Sequence, residues 1–161
     1  MKTEIRTIEE KEFNLLAETA EEIWRDSYRE MLTADQITYM LDRFQSVKAF
    51  RQQASQGYTY RGLFADGKLV GFTGSVPEGN RVFLSKLYLK SQFHGQGLGT
   101  RLLNDVKSLY PEAESIYLTV NKHNPSYQLY LHWGFKVTDA VVTDIGSGYV
   151  MDDYIMEMKL K

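Results

Sequence analysis

The chain has 161 residues, with 19 lysines and arginines against 21 aspartates and glutamates, and it contains no cysteine. This length suits one domain with its own hydrophobic core, so we predict a single domain over residues 1–161. The lack of cysteine excludes disulfides and thiolate metal ligands. A net charge of −2 lacks the basic character that nucleic-acid binding requires. With neither a signal-peptide core nor an apolar run of membrane-spanning length, we expect a cytoplasmic protein without a membrane partner.

The first third of the chain predicts one strand followed by three helices. Alternating polar and apolar residues over Lys2–Ile8 indicate the strand, and apolar residues at helical spacing over Glu9–Arg29 indicate the first helix. Thr33 is placed to cap a second helix, and Ser46 to cap a third that ends near Gln56. The three helices therefore precede most of the predicted sheet.

The middle of the chain changes to a strand-like period and predicts an antiparallel meander. Its strands cover residues 58–65, 69–76 and 82–89, and turn residues separate them at Asp66-Gly67 and between Pro77 and Asn80. A glycine-rich loop, a helix from Leu98 to Leu109, a strand over residues 115–120, a short helix over residues 126–133 and two strands over residues 135–143 and 149–160 follow. The predicted fold class is therefore mixed α/β, of the α+β type.

Three glycines, Gly95, Gly97 and Gly99, lie between an apolar strand and an amphipathic helix. Such a loop brings bare backbone amides together at the positive end of a helix dipole, which suits a pyrophosphate, although glycines also serve an ordinary flexible turn. A dinucleotide-binding GxGxxG motif would need glycine at Thr100, and the Gly-Lys-Ser/Thr of a nucleotide P-loop is absent. The loop therefore fits neither of these phosphate-binding motifs.

The segment His94-Gly95-Gln96-Gly97-Leu98-Gly99 resembles the signature of the GCN5-related N-acetyltransferases, Gln/Arg-x-x-Gly-x-Gly/Ala, with His94 where that family carries arginine or glutamine. A second matching element follows in Leu118–Phe135, with asparagines, a tyrosine at position 130 and a Gly-Phe pair. The ending Asp144–Met156, together with Ile23–Tyr28, also resembles the polyamine-acetylating branch. The resemblance covers most of the chain.

This resemblance implies a GNAT fold, in which one mixed, mostly antiparallel sheet of six to seven strands carries helices on both faces. It also implies acetyl-CoA as cosubstrate, with backbone amides at the end of the fourth strand on the pantetheine arm and the thioester oxygen. The glycine loop would hold the pyrophosphate, and an asparagine would add a polar contact, Asn124 or alternatively Asn121. The implied coenzyme-binding residues are Leu87, Tyr88, Leu89, His94, Gly95, Gln96, Gly97, Leu98, Gly99, Thr100, Asn121 and Asn124.

In the family a tyrosine protonates the departing thiolate, and Tyr130 matches it, while Tyr127 lies three residues earlier on the same predicted helix. Many relatives place a glutamate base just before the coenzyme stretch, but this chain has Ser85-Lys86 there. Deprotonation of the acceptor amine is then left to water, Glu78, Asp152 or Asp153, and these acids are expected to be solvated surface groups. Trp24, Tyr28 and Tyr39 are expected either to line the acceptor pocket or to fill the core.

The resemblance thus predicts an N-acetyltransferase that acts on the primary amine of a small molecule, with a polyamine as one option. The three histidines lack metal-ligand spacing, so we expect no metal. A homodimer formed through the last strand is a further expectation. The alternative functions are a silent acetyl-CoA-binding sensor, which the missing glutamate favours, and a plain nucleotide binder, which the two failed motif comparisons disfavour.

Overall fold

The computed structural model describes all residues, Met1–Lys161. Every predicted helix and strand is present, and the first helix is preceded by a 3-10 turn over Glu10–Glu12. A second 3-10 turn, Ser91–Phe93, follows the fourth strand. No helix combines the length and the apolar character needed to cross a bilayer. In chain order the elements are β1 (Thr3–Thr7), α1 (Phe13–Tyr28), α2 (Ala34–Phe44), α3 (Val47–Ser55), β2 (Thr59–Ala65), β3 (Lys68–Glu78), β4 (Arg81–Leu89), α4 (Leu98–Leu109), β5 (Ser115–Asn121), α5 (Ser126–His132), β6 (Lys136–Gly146) and β7 (Tyr149–Lys159).

The seven strands form one mixed sheet in the order β1-β2-β3-β4-β5-β7-β6. Antiparallel pairing joins β1 to β2, β2 to β3, β5 to β7 and β6 to β7. Strands β4 and β5 pair in parallel, with Arg81 opposite Ser115. Parallel neighbours need a crossover connection, and α4, which lies between the two strands in the chain, provides it. This arrangement confirms the predicted mixed, mostly antiparallel sheet.

The chain divides into two compact units. The first comprises Met1–Val76 and Lys86–Pro111, and the second comprises Pro77–Ser85 and Glu112–Lys161. The first unit therefore contains α1 to α4 and the glycine loop. The second contains α5 and the three C-terminal strands.

The first unit has apolar clusters on both faces of its strands, because side chains alternate along a strand. One cluster joins α1 and α3 to the sheet, and the other joins α4 to it. Helices therefore pack on both faces of these strands, because apolar side chains point to both faces. The first cluster contains Ile8, Phe13, Leu16, Ala20, Phe50, Tyr60, Phe64, Leu69 and Phe72, and the second contains Leu63, Ala65, Val70, Leu89, Leu98 and Leu102.

Helix starts follow the predicted capping chemistry. The Thr33 hydroxyl accepts a hydrogen bond from the Gln36 amide at 3.1 Å, and the Ser46 hydroxyl accepts one from the Ala49 amide at 3.1 Å. Each bond satisfies one of the amides that a first helical turn leaves without a partner. The predicted starts of α2 and α3 are therefore confirmed.

In the second unit, β5 is largely buried and β6 is not. Ile116, Leu118 and Met156 are almost completely buried on β5 and β7. Strand β6 ends the strand order and exposes three valines, Val137, Val141 and Val142. An exposed apolar edge of this kind is compatible with the expected homodimer, which stays a prediction.

One charged side chain of the first unit lies in the core. Lys86 on β4 is only 5% exposed, and its Nζ is 6.0 Å from the centre of the Phe50 ring. Burial lowers the pKa of Lys86 to about 8, because the charged form loses its hydration. The ring offsets only part of this cost, so holding the Lys86 ammonium in the core at neutral pH lowers the stability of the folded state.

We expect Lys86→Met to stabilise the protein at pH 7, by about 2 kcal/mol, since it removes a buried cation. Between pH 8 and the ordinary lysine pKa of 10.5, the unfolded chain binds a proton that the folded chain has lost. The stability of the unaltered protein therefore rises with pH across this window, and the advantage of the variant shrinks there. Urea unfolding at pH 7 and at about pH 10 measures this difference.

Lys68→Met is the matched control, because Lys68 is exposed on β3. We expect it to change the free energy of unfolding by less than about 0.5 kcal/mol at either pH. An equal gain from both variants, or a gain at Lys86 that is independent of pH, would contradict the assignment of the effect to the buried ammonium.

Candidate coenzyme and acceptor site

The glycine loop starts α4 with two residues in the left-handed region. Gly95 has φ 77° and Gly97 has φ 79°, and Gly97 directly precedes the helix. The Gly97 carbonyl accepts the first helical hydrogen bond, from the Arg101 amide at 3.1 Å. Side chains other than glycine rarely adopt this backbone, so the loop geometry depends on glycine at both positions.

The first turn of α4 supplies the predicted anion site. The amides of Leu98, Gly99 and Thr100 come before the first helical donor, so no earlier carbonyl of the helix is available to them. The Leu98 side chain is buried in the second core cluster, which leaves only its backbone for a ligand. The Thr100 side chain is exposed, as a phosphate contact requires. These residues therefore fit the pyrophosphate of a coenzyme.

His94 has a different partner from the one that the sequence analysis expects. Its Nε2 lies 2.9 Å from the Leu89 carbonyl oxygen. Because a carbonyl only accepts, Nε2 carries the hydrogen in this contact, so a phosphate contact from His94 would come from its other ring nitrogen, Nδ1. His94 therefore ties the loop to the end of β4. Gln96 likewise donates within the loop, from Nε2 to the Gln92 carbonyl at 3.5 Å.

The predicted coenzyme stretch at Leu87–Leu89 runs very close to β3. A Cβ atom added at Gly71 would lie 2.6 Å from the Tyr88 carbonyl oxygen and 3.2 Å from the Leu89 Cα. Both distances are shorter than a Cβ normally tolerates, so only glycine permits this approach of the two backbones. The Lys90 amide also donates to the Val70 carbonyl at 2.9 Å. The end of β4 is therefore held firmly in place.

A bidentate ion pair holds α4 against β2. Arg61 donates from Nε to Asp105 Oδ2 at 3.0 Å and from a terminal nitrogen to Oδ1 at 2.8 Å. Both side chains are mostly buried, and this paired geometry fixes orientation as well as distance. The hydroxyl of Thr3 also accepts from Arg101 of the same helix. These contacts fix the direction in which the first turn of α4 presents its amides.

In the second unit, the two predicted asparagines build the turn into α5. The side-chain oxygen of Asn121 accepts from the His123 amide at 2.9 Å, and that of Asn124 accepts from the Ser126 amide at 2.9 Å. Their oxygens therefore have local partners, and a contact to a coenzyme acceptor group would come from the amide nitrogens. Both asparagines position the helix that carries Tyr130.

Tyr130 is partly buried on α5 and packs against Trp133 and Phe135. The ring centres lie 5.8 Å and 5.9 Å away, and the Tyr130 carbonyl accepts from the Phe135 amide at 3.0 Å. Tyr127, three residues earlier, instead packs on Tyr154 at 5.1 Å. The two tyrosines of the short helix therefore have different surroundings.

The three acids that the sequence analysis considers as bases differ strongly. Glu78 accepts from the Tyr117 hydroxyl at 2.6 Å, and Asp152 pairs with Lys122 at 3.1 Å. Asp153 is only 4% exposed, so the expectation that it is a solvated surface group is wrong. Burial, with the neighbouring Asp152 charge, raises the pKa of Asp153 to about 6. Its place inside the β5-β7-β6 part of the sheet explains this burial.

Two of the predicted acceptor residues, Trp24 and Tyr28, form part of an aromatic group with Tyr88. Trp24 is 5% exposed, and its ring centre lies 4.7 Å from Tyr28 and 6.1 Å from Tyr88. Tyr39 is partly buried on α2. Sequence reasoning missed Gln45, which is 4% exposed beside Tyr88. The signal was available, because Gln45, the residue directly after α2, follows Ile37 and Leu41 of the buried stripe at helical spacing.

Comparisons with known proteins identify the family of the chain. A family model described as an acetyltransferase (GNAT) domain matches residues 10–157. A spermidine N(1)-acetyltransferase from Thermoplasma acidophilum is 26% identical over 160 residues, covering 94% of this chain and 97% of that protein. A spermine/spermidine N(1)-acetyltransferase from Bacillus subtilis is 28% identical over 120 residues, covering 65% of this chain and 76% of that protein.

A solved structure is similar throughout. The crystal structure of the PaiA N-acetyltransferase from Thermoplasma acidophilum in complex with coenzyme A has a TM-score of 0.83 at 28% identity, and the match covers 99% of both chains. The relatives are named as acetyltransferases, which does not support the alternative of a silent sensor. The chain therefore belongs to the acetyltransferase (GNAT) family and is an acetyl-CoA-dependent N-acetyltransferase.

Proposed function

We propose that the protein transfers an acetyl group from acetyl-CoA to a primary amine of a small molecule, with polyamines as the substrate class. The observation that carries this proposal is the similarity over 94% of the chain to a protein named spermidine N(1)-acetyltransferase. The aromatic rings beside Tyr88 support it, because a ring face attracts an ammonium group. The amine attacks the acetyl carbonyl directly, while both substrates are bound.

The first unit holds the coenzyme in this proposal. The amides at the start of α4 bind the pyrophosphate, and His94 keeps the loop attached to β4 through the Leu89 carbonyl. The thioester of acetyl-CoA supplies the acetyl group. An amide of Leu87–Leu89 donates to the carbonyl oxygen and stabilises the negative charge that develops there during attack. Gly71 and the neighbouring β3 backbone keep these amides from moving.

Two proton transfers complete the reaction. The amine loses a proton before or during attack, and the candidate acceptors of that proton are water, Glu78, Asp152 and Asp153, of which Asp153 has a pKa raised to about 6 by its burial. Glu78 and Asp152 have other partners, and water is the remaining route. We propose that the Tyr130 hydroxyl donates a proton to the sulfur when the carbon–sulfur bond breaks. The products are the acetamide and the free thiol of coenzyme A.

Thiol release from acetyl-CoA tests this function against spermidine, spermine, amino acids and aminoglycosides. The chain contains no cysteine, so a thiol reagent reads the product without a background from the protein. We expect release with polyamines. A protein that binds acetyl-CoA and releases thiol with none of the amines would refute the proposed function, and release with amino acids or aminoglycosides alone would refute the polyamine class.

Tyr130→Phe removes the proposed proton donor while it keeps the ring that packs on Phe135. We expect kcat to fall about 100-fold, since general acid catalysis contributes at least this factor, with little change in the dissociation constant of acetyl-CoA. Tyr127→Phe on the same helix is the control and should keep kcat within about twofold of the unaltered enzyme. Equal rates for the two variants would show that Tyr130 is structural.

Gly97→Ala tests the loop. The φ of 79° at Gly97 is strained for alanine, although nothing lies within 4 Å of the added Cβ, so the backbone must shift at the start of α4. We expect the dissociation constant of acetyl-CoA, measured by calorimetry, to rise about tenfold because strain of this kind costs of order 1 kcal/mol or more. Gly79→Ala is the matched control.

The control is suitable because Gly79 also has a positive φ, 63°, and open space around the added Cβ, but lies in the turn between β3 and β4. It should lower stability by a similar amount and leave coenzyme binding unchanged. If both variants weakened binding equally, the effect would reflect global stability, and the α4 loop would lose its proposed role.

A further inference from the structure

Tyr88 lies at the centre of a group of side chains that we call the Tyr88 cluster: Trp24, Tyr28, Gln45, Phe72 and Tyr88. The Tyr88 ring packs edge-to-face on Phe72 at 5.4 Å and on Trp24 at 6.1 Å. The Gln45 side-chain nitrogen donates to the Tyr88 hydroxyl at 3.2 Å. Helices α1 and α2 thus meet the end of β4 around one tyrosine.

Two buried polar atoms of this cluster have no hydrogen-bond partner. They are the indole Nε1 of Trp24, in a residue 5% exposed, and the Oε1 of Gln45, in a residue 4% exposed. Burial without a partner is costly, and folded proteins satisfy nearly all such groups. The cluster therefore contains one donor and one acceptor that no other group of the fold satisfies.

Another glutamine of the first unit shows that this gap is specific to Gln45. The nitrogen of Gln53 donates to the Phe44 carbonyl at 3.2 Å, and its oxygen accepts from the Tyr60 hydroxyl. Both ends of that carboxamide are satisfied within the fold. Gln45 satisfies only its nitrogen and keeps its oxygen available, although it is the more deeply buried of the two.

We propose that Gln45 is a specificity-determining residue of the acceptor site, and that its Oε1 accepts a hydrogen bond from an N–H of the acceptor amine. This proposal rests on the proposed function. An unpaired oxygen requires a ligand that donates, and the adjoining aromatic rings favour a cationic or alkyl amine over an anion. Tyr88 connects the two sites, because its own backbone belongs to the stretch that binds the thioester.

Two substitutions at Gln45 separate recognition from packing. Gln45→Met keeps the length of the side chain and removes the oxygen, whereas Gln45→Glu keeps an accepting oxygen and adds negative charge. Both lose the donated hydrogen bond to Tyr88, so a purely structural role would shift both variants in the same direction. Recognition of an amine instead predicts that the KM for the amine rises in Gln45→Met and does not rise in Gln45→Glu.

The experiment measures thiol release at varied spermidine concentration, or with the panel amine of highest kcat/KM if spermidine is not that amine. We expect the KM for the amine to rise about tenfold or more in Gln45→Met and to stay equal or fall in Gln45→Glu, because a lost polar contact typically costs this factor. The dissociation constant of acetyl-CoA should stay within about twofold in both.

Gln53→Met is the control, and we expect it to lower the melting temperature without changing the KM for the amine. An active enzyme whose amine KM is unchanged in Gln45→Met, or moves in the same direction in both Gln45 variants, would overturn this inference alone. Unaltered protein that binds acetyl-CoA but acetylates no amine would instead overturn the proposed function and, with it, this inference.

Discussion

The attachment of α4 to β2 is the constraint on which the proposed coenzyme site depends. Arg61 and Asp105 form two parallel hydrogen bonds in a mostly buried position, and Leu98 and Leu102 bury the apolar side of the helix beside them. A helix start binds an anion only if its amides point in a fixed direction. The ion pair supplies that direction, and the glycines before the helix supply the access.

The sheet contributes rigidity at the other end of the proposed coenzyme site. At Gly71 the β3 backbone approaches β4 more closely than any side chain would allow, and His94 returns from the loop to the carbonyl of Leu89. The loop and the strand end are thus connected through a single imidazole. Preorganised donors of this kind stabilise developing charge without reorganising during the reaction.

Much of this arrangement could be predicted from the sequence, because its determinants are local. The caps at Thr33 and Ser46 and the loop glycines act through their own backbone, so spacing alone indicates them. The buried positions of Lys86 and Asp153 are different. Each is set by neighbours that are distant in sequence, and composition assigns such residues to the surface. The partner of His94 was missed for the same reason, since a carbonyl has no signature in sequence.

In the proposed function, Tyr88 serves both substrates through different parts of one residue. Every amino acid except proline has the amide that the coenzyme stretch contributes, whereas the ring that contacts Trp24 and the hydroxyl that contacts Gln45 belong to tyrosine. Mutations at this position can therefore alter the range of amines while the acetyl donor stays the same. On this proposal the backbone role at Tyr88 is independent of its side-chain role, so new acceptor preferences can arise without rebuilding the coenzyme site.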